Sequence, residues 1–180
     1  GYTYYLAEAL ADQVLGSLAE EGKPAYEVLE TYKGRDLEYR EYEPLYQCAK
    51  DSTDRQHKKA FFVYCDDYVT MTDGTGIVHI APAFGEDDAR VGRKYNAPFV
   101  QMVDDHGRMK PETGKFAGMR CKPTEAEIKE GAVSCDPEVL KDLDERGILF
   151  AAPKVEHDYP HCWRCGTPLI YYARESWFIK

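Results

Sequence analysis

A chain of 180 residues, 43% hydrophobic and 13% aromatic, has the mass and apolar content of one folded domain, which excludes a disordered tail. Charged residues make up 31% and the net charge is −9, which excludes strong non-specific binding to phosphate backbones, an affinity carried by Lys and Arg. Any nucleic-acid contact is therefore expected to be local, at a single-stranded end.

Gly1 to Leu6 reads as a strand that starts abruptly, as if cut from something longer. Ala7 to Glu21 is expected to be a helix, with Leu6, Leu10, Val14 and Leu18 at every fourth position and Gly22 as a stop. Tyr26–Tyr32 and Leu45–Cys48 read as short strands around the charged stretch 33–43. Phe61–Tyr64 and Tyr68–Met71 are β-rich, and Asp73–Gly74 is a tight-turn signal before an Ile77–Ala81 strand. Helix is expected over Glu86–Tyr95, strand over Phe99–Val103, a turn at Asp104–Gly107, and loop over Lys110–Lys122. Glu125–Glu130 and Pro137–Arg146 read as helices, the second stopped by Gly147. Many short strands with segregated helices point to an α+β fold, a barrel-like mixed β-sheet with peripheral helices.

The six cysteines, Cys48, Cys65, Cys121, Cys135, Cys162 and Cys165, contain one close pair. With no signal peptide and no apolar run of membrane length, the expectation is a reducing cytoplasm, no disulfide framework and no membrane partner.

The stretch GTGIVHIAPAFGEDD, Gly74 to Asp88, carries the most chemistry. In a strand, Ile77, His79 and Ala81 share one face and Val78 and Ile80 the other. Val78 and Ile80 are natural core residues, which turns His79 and small Ala81 toward a pocket or solvent. Asp87 and Asp88 then fall in the first turn of the next helix. Acids there can simply favour the helix dipole, by roughly 0.3–1 kcal/mol, and a strand histidine can be an ordinary polar residue. The functional alternative is a carboxylate that holds an ammonium group beside a small side-chain site. Asp87 competes with Asp88 for that role.

GTGIVHIAP followed by GEDD resembles the editing-domain signature of class I aminoacyl-tRNA synthetases of the isoleucyl, valyl and leucyl group. The tail, Tyr159–Pro168 (YPHCWRCGTP) with Leu169–Ala173 and Trp177–Phe178, resembles the isoleucyl enzymes in particular. The resemblance covers nearly the whole chain and is strongest over 73–95 and 155–180. It implies an editing domain over 1–152 and, over 153–180, a segment returning to the class I catalytic core. Selecting isoleucine over valine by one methylene is worth only about 1–3 kcal/mol, and a second site that hydrolyses the smaller product makes up the difference; isoleucyl enzymes are the standard example of that device.

By the resemblance, Asp88 binds the α-amine of a misattached valine, and His79 and Ala81 line its side-chain pocket. Gly74, Thr75 and Gly76 would let the terminal nucleotide of Val-tRNA(Ile) approach, so that a bound water attacks the ester. The partners implied are the 3′ end of the aminoacyl-tRNA and the rest of the synthetase, which uses ATP to join isoleucine to its tRNA. Two departures stand out. Phe84 occupies a position where many bacterial relatives have histidine, and the family's threonine-rich strand would lie upstream of Gly1.

Cys162 and Cys165 form a CxxC pair, half of a tetrahedral zinc site. His157 and His161 are near, but four ligands within nine residues is tight. Zinc in the full-length enzyme and two metal-free thiols at a turn both stay open. Asp104–Asp105–His106 before Gly107 is more simply a turn, and His57–Lys58–Lys59 a solvated loop. Two other readings compete with the isoleucyl one: a valyl- or leucyl-type editing domain, and a non-catalytic acidic interaction module with a partial zinc site.

Overall fold

The computed structural model describes residues 1–154, 158–177 and 179. Five α-helices organise it: α1 (Ala11–Leu15), α2 (Gln47–Asp54), α3 (Glu86–Lys94), α4 (Glu125–Lys129) and α5 (Cys135–Glu145). Short 3-10 turns flank α1 at Glu8–Leu10 and Gly16–Leu18, so the expected Ala7–Glu21 helix is shorter and broken. Leu10 and Leu15 are buried, whereas Leu18 is exposed, because the tighter turn after Leu15 rotates the stripe away from the core.

The expected barrel-like β-sheet is not there, and the fold-class expectation is corrected accordingly: the described residues are helices joined by extended and turning chain. Their only pairings are isolated bridges, Glu41 to Phe62, Val103 to Met109, Arg108 to Arg120, Arg120 to Ser134 and His161 to Pro168. Local geometry explains two of the interruptions. Around Glu41 and Phe62, three backbone hydrogen bonds link residues 39–42 to 61–63. Tyr39 (φ +63°) and Phe61 (φ +60°) then leave the β region, so the ladder cannot extend. In the Ile77–Ala81 stretch, side chains take the terminal N–H groups. The Thr75 hydroxyl accepts from Ile77 N at 3.3 Å and the Asp88 carboxylate from Ala81 N at 3.0 Å. Val78 is accordingly 46% exposed instead of lying in the core.

Leu45–Cys48 is likewise not a strand; its second half, Gln47 and Cys48, opens α2. That helix is supported by pairs four residues apart, Gln47 to Asp51 at 2.7 Å and Lys50 to Asp54 at 2.5 Å. The acid-rich start of α3 and its Arg93–Lys94 end complement the helix dipole. Thr124 caps α4 through a reciprocal bond with Glu127. A 3-10 turn, Pro111–Phe116, occupies the stretch expected to be loop.

The buried core is small and distributed. Val91 on the inner face of α3 is fully buried, with Ala83 and Ala97 nearby in the chain. An added Cβ on Gly92 would lie 2.9 Å from two ring atoms of Pro82, so α3 seats directly on the 81–84 turn. Phe116 and Cys135 are buried near α5, where Asp142 pairs with Lys115 and Arg146. The C-terminal stretch returns to the same turn. Ala173 N donates to Ala83 O at 3.0 Å, the Gln101 amide to Ala173 O at 2.7 Å, and the Phe84 and Tyr172 rings meet edge to face at 6.0 Å. No helix among the described residues is long and apolar enough to cross a membrane.

Candidate functional site

The two adjacent acids of α3 face different ways. Asp87 has a side chain 62% exposed and pairs with Arg90 at 3.3 Å on the outer surface. Asp88 is half-buried and turns inward, back toward the strand-like stretch before the helix. Its Oδ2 accepts from Ala81 N at 3.0 Å, and its Oδ1 accepts from the Tyr68 hydroxyl at 3.3 Å. Gly85, the residue before α3, lies against the same carboxylate; a Cβ there would sit 3.2 Å from Asp88 Oδ2. The chain reverses at 81–84, with Phe84 N donating to Ala81 O at 2.9 Å, which brings Ala81 beside a helix it precedes by five residues.

Burial and the Asp88 charge push the Tyr68 hydroxyl up to about 12, so it remains a donor through the neutral range. The Tyr68 ring lies 5.9 Å beneath the Arg90 guanidinium. Arg90 is bound by Asp66 through two bonds of 2.7 and 3.1 Å, and Lys94 reaches Asp66 at 3.2 Å. The Arg90 bonds hold the Asp66 carboxyl well below the usual carboxylate range. Tyr68 and this ion network carry no local sequence signal, because Asp66 and Arg90 are 24 positions apart. Only the density of acids at 66–67 and of bases at 90–94 hints at a pairing.

His79 is exposed and Ala81 half-buried, two positions apart on the same stretch. Gly74 and Gly76 both adopt positive φ, +66° and +72°. Gly76 has a packing reason for lacking a side chain: a Cβ there would collide with that of Ala7. Thr75 O accepts from Ala7 N at 2.8 Å, which ties this loop to the N-terminal stretch. Thr75 also borders an apolar cavity of about 150 Å³ walled by Tyr4, Tyr5, Leu15 and Phe150.

At the CxxC turn, Gly166 N donates to Cys162 O at 2.8 Å and Cys162 N to Thr167 O at 2.9 Å. The Thr167 hydroxyl, 3.1 Å from Cys165 Sγ, holds that thiol below its ordinary value. The His161 ring is turned to Tyr159 O, with Nδ1 at 2.8 Å, and His157 lies outside the described residues, as do Phe178 and Lys180. Among the described residues no three His, Cys, Asp or Glu side chains gather as a metal set.

Several curated proteins similar to this chain are isoleucine–tRNA ligases. The isoleucine–tRNA ligase of Clostridium novyi is 42% identical over 175 residues, 97% of this chain. That of Pyrococcus horikoshii is 40% identical over 181 residues, 98% of the chain, and that of Thermus thermophilus 42% identical over 175 residues. The chain is a homologue of a segment of the isoleucine–tRNA ligases. It spans about 15% of the length of these relatives. No protein-family model matches it.

Proposed function

We propose that this chain is the proofreading part of an isoleucine–tRNA ligase, hydrolysing valine wrongly esterified to the 3′ end of tRNA(Ile). The observation that carries this reading is the inward carboxylate of Asp88, fixed by Ala81 N–H and the Tyr68 hydroxyl at the end of the motif that resembles the editing signature. An ionised carboxylate has about four acceptor positions. Two are occupied here, which leaves capacity for an ammonium group. A charged contact to that group would fix the aminoacyl end, with the valine side chain directed toward His79 and Ala81.

Catalysis in this reading is positional. Water adds to the ester carbonyl, the ribose oxygen leaves and takes up a proton, and free valine and tRNA depart. Asp88 holds the amine and is not assigned the proton transfer. In this reading isoleucine is refused because its extra methylene would find no room beside His79 and Ala81. Gly74, Thr75 and Gly76 would border the terminal nucleotide. The joining of isoleucine to tRNA with ATP is assigned to the rest of the parent enzyme in the cytoplasm. Zinc there would be held by Cys162 and Cys165 with donors from outside the described residues, as structural support.

Deacylation of tRNA(Ile) charged with valine, threonine or isoleucine tests the reading. Release of valine with isoleucine spared, and loss of that release in Asp88→Ala, is expected. Undiminished valine release by the variant would remove Asp88 from the reaction. Preferential release of threonine would instead assign the chain to a valyl-type specificity.

A further inference from the structure

We infer that Tyr68 is a positioning residue of the same site: its hydroxyl, with Ala81 N–H, locks the Asp88 carboxylate in the orientation that receives an ammonium group. The inference rests on the proofreading role assigned to Asp88. A carboxylate in the first turn of a helix ordinarily rotates freely or folds back on the helix's own N–H groups. Asp88 does neither. Each oxygen has its own donor from outside the helix, Tyr68 Oη at 3.3 Å on Oδ1 and Ala81 N at 3.0 Å on Oδ2.

Tyr68 is itself held. Its ring is half-buried and covered on one face by Arg90, whose guanidinium is fixed by Asp66 and Asp87. The Asp66 side chain is only 9% exposed and takes Lys94 as a second partner. The charged groups around the Tyr68–Asp88 pair are therefore Asp66, Asp87, Arg90 and Lys94. Arg90 and Lys94 together balance Asp66 and Asp87 on the outer side, leaving Asp88 as the acid turned inward. With the hydroxyl removed, Oδ1 loses its fixed donor and the carboxylate can swing. The amine would then meet a carboxylate that must first be ordered, a cost a preorganised group avoids.

The test uses two non-hydrolysable ligands in calorimetry with the whole chain: an amide-linked mimic of valyl-adenosine and its 3-methylbutanoyl counterpart, which lacks the amine. Tyr68→Phe is expected to weaken the amine-bearing ligand roughly tenfold, the value of one hydrogen bond to a charged group, and to leave the amine-free ligand within about twofold. Equal losses on both ligands would make Tyr68 a packing residue, and no loss on either would also overturn the inference. Asp88→Asn separates the two levels of the argument. If it leaves binding of the amine ligand unchanged, or the unsubstituted chain binds neither ligand, the proofreading role of Asp88 fails. If it abolishes amine discrimination while Tyr68→Phe does not, only the positioning role fails. Carbon-13 tyrosine NMR reads the contact without ligand. The Tyr68 titration, raised by burial and by the Asp88 charge, should move to lower pH in Asp88→Asn, and a fixed midpoint would show that the two side chains do not meet.

Discussion

Replacing Asp88 by alanine and by asparagine should separate what this residue does for the fold from what it does for a ligand. In Asp88→Ala, Ala81 N–H and the Tyr68 hydroxyl lose their acceptor. A buried donor left unpaired costs about 1–3 kcal/mol, and both donors are half-buried, so water recovers part of that for each. Loss of a carboxylate from the first turn of α3 adds roughly 0.3–1 kcal/mol. A total of about 2 kcal/mol follows, which for a chain of this size lowers the midpoint of thermal unfolding by roughly 4–8 °C. Asparagine keeps an oxygen for Ala81 N–H, and its amide can donate to the Tyr68 hydroxyl, so only the charge-dependent part is lost, about 1 kcal/mol or less. Thermal melts followed by circular dichroism at pH 7 should rank wild type, Asn, then Ala. An Ala variant that melts with the wild type would mean that the carboxylate does not hold Ala81 and Tyr68. An Asn variant as unstable as Ala would mean that charge, and not hydrogen-bond geometry, fixes the turn.

Gly92→Ala should destabilise despite alanine's better helix propensity, because its methyl would lie 2.9 Å from the Pro82 ring; a loss of about 1–3 kcal/mol in denaturant unfolding is expected, and a gain would refute the seating of α3 on that turn. Acid should weaken the fold in a defined direction. The folded-state values of Asp66 and of Glu127, the latter brought to about 2 by Thr124 and Arg120, lie below those of the unfolded chain. Their contribution is therefore complete above the ordinary carboxylate range and lost as the pH falls through the folded values, so stability that stayed flat from pH 5 to roughly 2 would contradict these pairings. Thiol labelling at pH 7.5, followed by mass spectrometry, should modify exposed Cys165 first and Cys135 last, since burial raises the latter thiol to about 11; early labelling of Cys135 would show that its site opens readily.

The helices around the site were legible because their ends are written locally. Gly85 and three acids open α3, Thr124 and Glu127 close a capping box on α4, and Gly147 follows α5. The sheet was misread for a related reason. Alternating apolar residues such as Ile77 and Val78 signal an extended chain, but a strand also needs a neighbour, and pairing is not written in the segment itself. Here Thr75 and Asp88 take the N–H groups at the two ends of that stretch, and Tyr39 and Phe61 stop the pairing around Glu41. Leu45–Cys48 was misread because four residues cannot separate period two from period 3.6, whereas the bonds of Gln47 and Lys50 to residues four further on decide for helix. At the site, the motif pointed to Asp88, His79 and Ala81, but adjacent acids in a sequence do not say which one turns inward. Tyr68 could not have been found, since it meets Asp88 only through the reversal at 81–84.

The most direct measurement is a crystal structure of the chain with the amide-linked valyl-adenosine mimic bound. The ammonium nitrogen is expected within roughly 3 Å of an Asp88 oxygen, with Tyr68 and Ala81 still bonded to that carboxylate and the isopropyl group toward His79 and Ala81. An amine resting on Asp87 or on any other acid, with Asp88 engaged by Tyr68 and Ala81 alone, would contradict the proposed site.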